Sequence, residues 1–438
     1  MEPYQLTATQ ALAKFKDGSL TVEEYARSLL ERIEKRDDAV KAWEYINPEY
    51  VIQQAKMLDH LPRERWGPLH GVAVAVKDII YTRHMPTQHN SPIYAGDKPN
   101  VDAAVVSTLR TARALLLGKT TTTEFASTAT GPKTRNPHDV TRTPGGSSSG
   151  SAAAVADFQA PIALGSQTGG STIRPGSFNG IFAFKPTWNA VSREGVKIYS
   201  VNLDTVGFFA RCVQDLQLLA DVFALEDDDT PAQQDDFSIE GSKFALAKTT
   251  VWPQAGPGTI AALEAGAKLL RDRGAEVEEI ELPAEFDRVP EWHGIILDAD
   301  ARTTFLPEYR FAKEKLTSLL VDHVENKSQT SRAAQLEAFD GVAALRPRFD
   351  AIAGKYAAVL TPSVVDEAPV GTEFTGDPAF NKMWTALHVP VVNIPGFKGE
   401  NGMPIGLSLV APRYHDRHLL AVSKAVGEIF QAEGGWRT

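Results

Sequence analysis

Two hydrophobic periods alternate along this chain. Near the N-terminus the period is helical: Ala8, Ala11, Leu12 and Phe15 share a face, and the turn Asp17-Gly18-Ser19 ends the segment. Thr21-Val22-Glu23-Glu24 has the form of a capping box. It heads a second helix whose stripe is Val22, Tyr25, Leu29, Leu30 and Ile33. After a helical stretch near 51–61, the period changes. Residues 69–80 alternate β-branched with small side chains and predict a buried strand. Period-two geometry puts Val72, Val74 and Val76 on one face and Ala73, Ala75 and Lys77 on the other.

Further along, the pattern predicts a helix over 102–114, strand and turn over 115–120, and a helix over 149–158. Helices are also expected over 204–223, 259–273 (stopped by Gly274), much of 283–346, 380–387 and 415–432. Strands are expected over 243–248, 277–282, 357–363 and 405–410, with a short one at 391–394. Pro390 and Pro395 bracket that last strand, because proline cannot donate to a ladder. Strands alternating with helices predict an α/β layered fold.

Composition narrows the class without naming a reaction. The 438 residues suit one large domain or two ordinary ones, and 43% apolar with 23% charged residues is ordinary for a soluble globular protein. A net charge of −10 argues against a phosphate-backbone partner or an anionic membrane. The opening Met1-Glu2-Pro3-Tyr4-Gln5-Leu6 lacks the basic and apolar regions of a signal peptide, and no uncharged apolar run reaches membrane-span length. The one cysteine, Cys212, excludes an internal disulfide framework and is expected in core packing. The expectation is a cytoplasmic protein that binds neither nucleic acid nor membrane.

Candidate chemistry concentrates between Pro144 and Thr187. The first cluster is Gly145-Gly146-Ser147-Ser148-Ser149-Gly150-Ser151, and the second is Gln167-Thr168-Gly169-Gly170-Ser171-Thr172-Ile173-Arg174-Pro175-Gly176. Apolar segments flank both, which distinguishes them from a flexible linker. Neither has the Gly-Lys-Ser/Thr ending of a P-loop or a dinucleotide fingerprint. Gly146-Ser147-Ser148-Ser149-Gly150 matches the G-x-S-x-G elbow around Ser148, but the approach over 139–144 reads as loop where the elbow needs a strand. The ten histidines give the pairs His84/His89 and His415/His418 without HExxH or a Cys/His grouping, so a metal site is not expected. In the reading that uses both clusters, Thr168-Gly169-Gly170-Ser171 presents consecutive N–H groups around a hydroxyl, an oxyanion hole with its nucleophile attached. A serine needs a base. No histidine pattern supplies one, and Lys77, at the end of an alanine-lined face, becomes the candidate, with a first-cluster hydroxyl as relay.

Val76-Lys77-Asp78, the Gly145–Gly150 cluster, Gly169-Gly170-Ser171 and Phe184-Lys185-Pro186-Thr187, in that order, resemble the amidase signature family. The likeness spans most of the chain and is densest over 71–207. It implies one α/β/α domain over 1–438, built on a large mixed twisted sheet, with a catalytic core at about 65–210 and additions over 1–64 and 211–438. It also implies a Ser-cisSer-Lys triad of Ser171 (nucleophile), Ser147 (bridging serine on a cis peptide) and Lys77 (base). The N–H groups of Thr168, Gly169, Gly170 and Ser171 match the oxyanion hole. No metal or organic cofactor is implied.

Many members, including the tRNA-dependent amidotransferase subunit, have Asp where this chain has Gln167. The Gln form, with Met85-Pro86-Thr87 and Asn136-Pro137-His138, resembles malonamidase-like amidases, in which the arginine matching Arg174 holds a substrate carboxylate. The alternative for Arg174 is a structural arginine bonded to nearby carbonyls or a carboxylate. The implied activity is C–N hydrolysis of a small amide through an acyl-enzyme. Urethane, aryl-amide or ester hydrolysis is the substrate alternative, and an amidotransferase subunit or a non-catalytic binding protein are the readings from other classes. Oligomeric state, a homodimer included, is not written in the sequence.

Overall fold

The computed structural model describes residues 1–228 and 236–438. Among them one sheet holds eleven strands. In chain order these are β1 (Trp43–Ile46), β2 (Ala73–Lys77), β3 (Leu115–Thr120), β4 (Ile162–Gln167), β5 (Phe182–Lys185) and β6 (Thr205–Ala210). They continue as β7 (Lys243–Ala247), β8 (Glu276–Ile280), β9 (Ala358–Pro362), β10 (Val391–Lys398) and β11 (Pro404–Val410). Across the sheet they run β1-β3-β2-β4-β6-β5-β10-β11-β9-β7-β8. The sheet is mixed: β2 pairs in parallel with β3 and β4, and β7 with β8 and β9, while the central pairs from β4 through β11 are antiparallel. Helices flank it, as the alternation of strands and helices predicted, and the chain forms the single α/β domain that the family resemblance implied.

Every residue of β2, β3 and β4 is buried, as parallel strands covered on both faces require. The alanines of β2 leave room for the helix Ser149–Ala156, which is buried throughout and packs across β2, β3 and β4. Gly150 allows the closest approach: a Cβ there would stand 2.1 Å from the Ala42 carbonyl oxygen and 2.5 Å from the Thr121 nitrogen. Because β2 and β4 are parallel, Lys77 and Gln167 end their strands at the same edge of the sheet. Open α/β sheets place ligand sites at that edge.

The N-terminal helices form at Ala8–Asp17 and Val22–Val40, and Thr21 with Glu24 makes the expected capping box. β4 and β5 were not among the expected strands, and three further elements differ from expectation. Residues 204–223 are not one helix: Thr205–Ala210 is β6, and only Val213–Val222 is helical. Thr-Val-Gly-Phe-Phe-Ala is buried on both faces, so it carries no alternation that separates a strand from a buried helix. β10 runs through Pro395 to Lys398, with a register shift between Pro395 and Phe397 that absorbs the missing donor. The four-residue edge strand β1 had no sequence signal. Cys212 is partly buried, and burial pushes its thiol up to about 12, in keeping with a packing role. Among the described residues no helix is long and apolar enough to cross a membrane, and no group of three His, Cys, Asp or Glu side chains is arranged to hold a metal.

Candidate active site

Lys77, the last residue of β2, has no exposed surface. Its Nζ contacts three hydroxyls: Ser147 Oγ at 2.8 Å, Ser148 Oγ at 3.0 Å and Ser166 Oγ at 2.8 Å. Burial holds the amine well below the ordinary lysine range, and the Asp204 carboxylate raises it in part. One of the serine protons can be placed. Ser148 Oγ donates to the Ser166 carbonyl at 3.2 Å, so it accepts from Lys77. A neutral amine has two N–H groups and one lone pair. With Ser148 taking one N–H, the other N–H and the lone pair fall to Ser147 and Ser166, and when Ser166 accepts, the lone pair meets the Ser147 hydroxyl proton. This corner can therefore move a proton between Lys77 and Ser147.

Ser147 follows a cis peptide bond, Gly146–Ser147. The Gly146 carbonyl accepts from Arg174 Nη2 at 2.6 Å, which fixes the plane of that peptide. Ser148 sits at the head of the helix Ser149–Ala156 and is buried against β4, with no strand leading into it. The G-x-S-x-G match is therefore not an elbow.

The second cluster turns out of β4 into the short helix Ile173–Phe178. Gln167 organises the turn: its Oε1 accepts from the N–H groups of Thr172 and Ile173 at 2.9 and 3.0 Å, and its Nε2 donates to Thr385 Oγ1 at 3.0 Å. Three successive carbonyls are bonded away from the turn. Thr168 O meets His293 Nε2 at 2.8 Å, Gly169 O accepts from Thr385 Oγ1 at 2.8 Å, and Gly170 O accepts from the Arg174 N–H at 3.0 Å. Among the described residues, the N–H groups of Thr168, Gly169, Gly170 and Ser171 make no hydrogen bond.

Ser147, Thr168, Gly169, Gly170, Ser171 and Arg174 line one cavity of about 300 Å³. Lys77 lies behind it, in contact with Ser147. Ser171 is 8% exposed, enough to meet a ligand in the cavity. Arg174 is buried and faces the same space. Its Nη2 also reaches Thr375 Oγ1 at 3.3 Å, while Nε and Nη1 have no partner. Arg174 thus braces the Gly146 carbonyl through Nη2, and its other two nitrogens are buried without partners.

The structure adds residues and contacts that the sequence did not assign. Ser166 and Ser148 complete the Lys77 cluster, and the parallel pairing of β2 with β4 was the missing clue. Asp204 is buried and accepts from Thr168 Oγ1 at 2.6 Å, and burial raises its carboxyl to about 6. It lies within the segment expected to be helical. His293 comes from the helix Val289–Thr304, in a region that showed no recognisable chemistry. Burial holds its imidazole down to about 4, so it is neutral.

A family model described as Amidase matches residues 24–420. The chain is 32% identical over 473 residues to a glutamyl-tRNA(Gln) amidotransferase subunit of Symbiobacterium thermophilum, covering 97% of this chain and 96% of that protein. Among solved structures, it is similar to a peptide amidase from Stenotrophomonas maltophilia, with 26% identity, a TM-score of 0.81 and 98% of each chain covered. A second similar structure belongs to a vestigial protein complex that bears on the evolutionary origins of an s-triazine catabolic enzyme. It has 26% identity, a TM-score of 0.87 and 99% coverage of each chain. By sequence and by fold, this chain belongs to the amidase signature family.

Proposed function

We propose that this chain hydrolyses the C–N bond of a small amide through an acyl-enzyme on Ser171. Neutral Lys77 takes the Ser147 proton as Ser147 takes the Ser171 proton, and Ser171 Oγ bonds to the carbonyl carbon. The N–H groups of Thr168, Gly169, Gly170 and Ser171 stabilise the tetrahedral oxyanion. Ser147 returns the proton to the leaving nitrogen, which an amide requires because an amide anion leaves poorly, and the C–N bond breaks. Water then attacks the ester by the reverse relay, releasing the acid and Ser171. The route uses only these side chains and backbone groups. The observation that carries it is a buried lysine 2.8 Å from Ser147, with Ser147 and Ser171 on the same cavity.

For the substrate, the unpartnered Nε and Nη1 of Arg174 favour an amide that also bears a carboxylate, as in a malonamidase-like enzyme. A hydrolysis panel of malonamate, an aryl amide and a dialkyl carbamate tests this, with Ser171→Ala as the blank. Malonamate is expected to be preferred, and Ser171→Ala to lose activity by orders of magnitude. A Ser171→Ala protein that turns over the panel normally refutes the acyl-enzyme. Turnover of the carbamate or aryl amide alone moves the assignment to urethane or aryl-amide hydrolysis.

Likeness to amidotransferase subunits favours a second reading, in which the chain works inside a complex. Gel filtration of the isolated chain decides between them: amide hydrolysis in its own peak supports the free amidase, and activity only after a partner is added supports the amidotransferase reading.

A further inference from the structure

The amide turn is held through its carbonyls by two side chains, Thr385 outside the cavity lining and His293 within it. In a trans peptide, the C=O of one residue and the N–H of the next point in opposite directions. Anchoring a carbonyl on one side therefore aims the following N–H to the other. His293 anchors Thr168 O, Thr385 anchors Gly169 O, and the Arg174 N–H anchors Gly170 O. The N–H groups aimed by these bonds are those of Gly169, Gly170 and Ser171, all on cavity-lining residues and none bonded within the described protein.

The direction of the Thr385 proton is set one layer further out. Gln167 Oε1 faces two backbone N–H groups, so it must be the oxygen, and Nε2 is then the atom that donates to Thr385 Oγ1. With a donor on its oxygen, Thr385 can spend its one proton on a carbonyl. Gly169 O at 2.8 Å is closer than Asn381 O at 3.1 Å. A carboxylate at 167 can only accept, so it would compete for that proton and free the Gly169 carbonyl.

We propose that Thr385 and His293 are positioning residues that align the N–H groups of the turn on the developing oxyanion, and that Gln167 acts through Thr385 by directing its proton. The proposal rests on Ser171 as nucleophile.

Its test needs no knowledge of the substrate. A serine-reactive fluorophosphonate is attacked by Ser171 Oγ: an O–P bond forms, fluoride leaves with the serine proton, and the phosphoryl oxygen takes the oxyanion position. Second-order labelling rates are measured with thermal midpoints and kcat and KM for whichever panel substrate is turned over, and the labelled residue is found by mass spectrometry. Removing one oxyanion donor costs about 100- to 1,000-fold, so misaligning one is expected to cost roughly 10- to 100-fold. Thr385→Val and His293→Ala should label that much more slowly, with the loss in kcat and not KM. Thr385→Ser and His293→Gln, which keep a donor, should recover most of the rate. Gln167→Glu keeps the size and both backbone contacts, and should fall with Thr385→Val at a pH where its buried carboxyl is ionised. If Thr385→Val does not fold, Gln167→Glu carries the test. Labelling of Thr385→Val and Gln167→Glu at the wild-type rate overturns the positioning role. Wild type that is not labelled, or Ser171→Ala labelled equally fast, overturns instead the nucleophile on which it rests.

Discussion

Arg174→Ala separates the two tasks of this arginine. In one, Nη2 bonds Gly146 O at 2.6 Å and Thr375 Oγ1 at 3.3 Å, bracing the peptide that carries Ser147. That loss should lower kcat for every substrate alike. In the other, Nε and Nη1 are buried beside the cavity without partners. These two nitrogens lie on opposite edges of the planar guanidinium, so one carboxylate engages one of them, not both as a fork. A hydrogen bond to a charged group is worth about 1.5–3 kcal/mol, and the specificity at stake is therefore roughly 10- to 150-fold. Burial of the site favours the upper half of that range. The assay is kcat/KM for malonamate and for a neutral amide of the same size, in wild type, Arg174→Ala and Arg174→Lys. The ratio of the two values cancels the damage to Ser147 that both substrates share. The expected result is a ratio that falls at least tenfold in Arg174→Ala, chiefly through KM for malonamate. An unchanged ratio, with both substrates slowed equally, would leave Arg174 a purely structural residue.

Other outcomes follow from the same groups. The Asp204 charge raises the Lys77 pKa, so Asp204→Asn should lower it further and move the acid limb of the kcat/KM profile to lower pH; a shift to higher pH refutes the coupling. Lys185 is buried, its Nζ donates to Pro186 O at 2.9 Å, and burial holds its amine down to about 7. Above that value the unfolded chain binds the extra proton, so wild-type stability should rise from about pH 7 towards 10.5. Lys185→Met should therefore stabilise by a few kcal/mol (roughly 1.4 for each tenfold change in the acidity of the amine) at pH 7 and by less at pH 9.5 in urea melts; a larger gain at pH 9.5 contradicts this sign. Gly150→Ala places a methyl against the Ala42 carbonyl and should cost about 1–3 kcal/mol by calorimetry, with wild-type stability as the refuting result.

What the sequence made legible was local. Lys77, Ser147 and Ser171 each sit in a short segment whose composition is odd on its own terms: a lysine closing an alanine face, serines among glycines. The turn at 168–171 was legible because consecutive glycines admit the tight backbone conformations that side chains with a Cβ resist. The groups that hold these in place were not. Thr385 reaches Gly169 across 216 positions, His293 reaches Thr168 across 125, and Ser166 reaches Lys77 across 89. Each belongs to a segment whose own pattern is complete as a helix or strand, so nothing in it asks for a partner. The Gln167 departure was visible, but its meaning was not, because a side-chain amide differs from a carboxylate only through the atoms it faces.

Burial alone would not have chosen the lysine either. Among the described residues three lysines are buried: Lys77, Lys119 and Lys185. Lys119 Nζ meets Ile80 O, Pro86 O and Thr87 Oγ1 and stands 3.3 Å from the Asp78 carboxylate, a setting dominated by groups that only accept. Lys185 has a carbonyl as its hydrogen-bond partner. An amine facing carbonyls and a carboxylate has reason to keep its protons and nowhere to draw one from. Lys77 faces three hydroxyls, each able to give a proton as well as take one. One of those hydroxyls, Ser147, opens onto the cavity. Desolvation makes the Lys77 amine willing to be neutral; the kind of partner makes neutrality useful. The strand ending Ala-Val-Ala-Val-Lys sets the first condition, and the serine cluster seventy residues later sets the second.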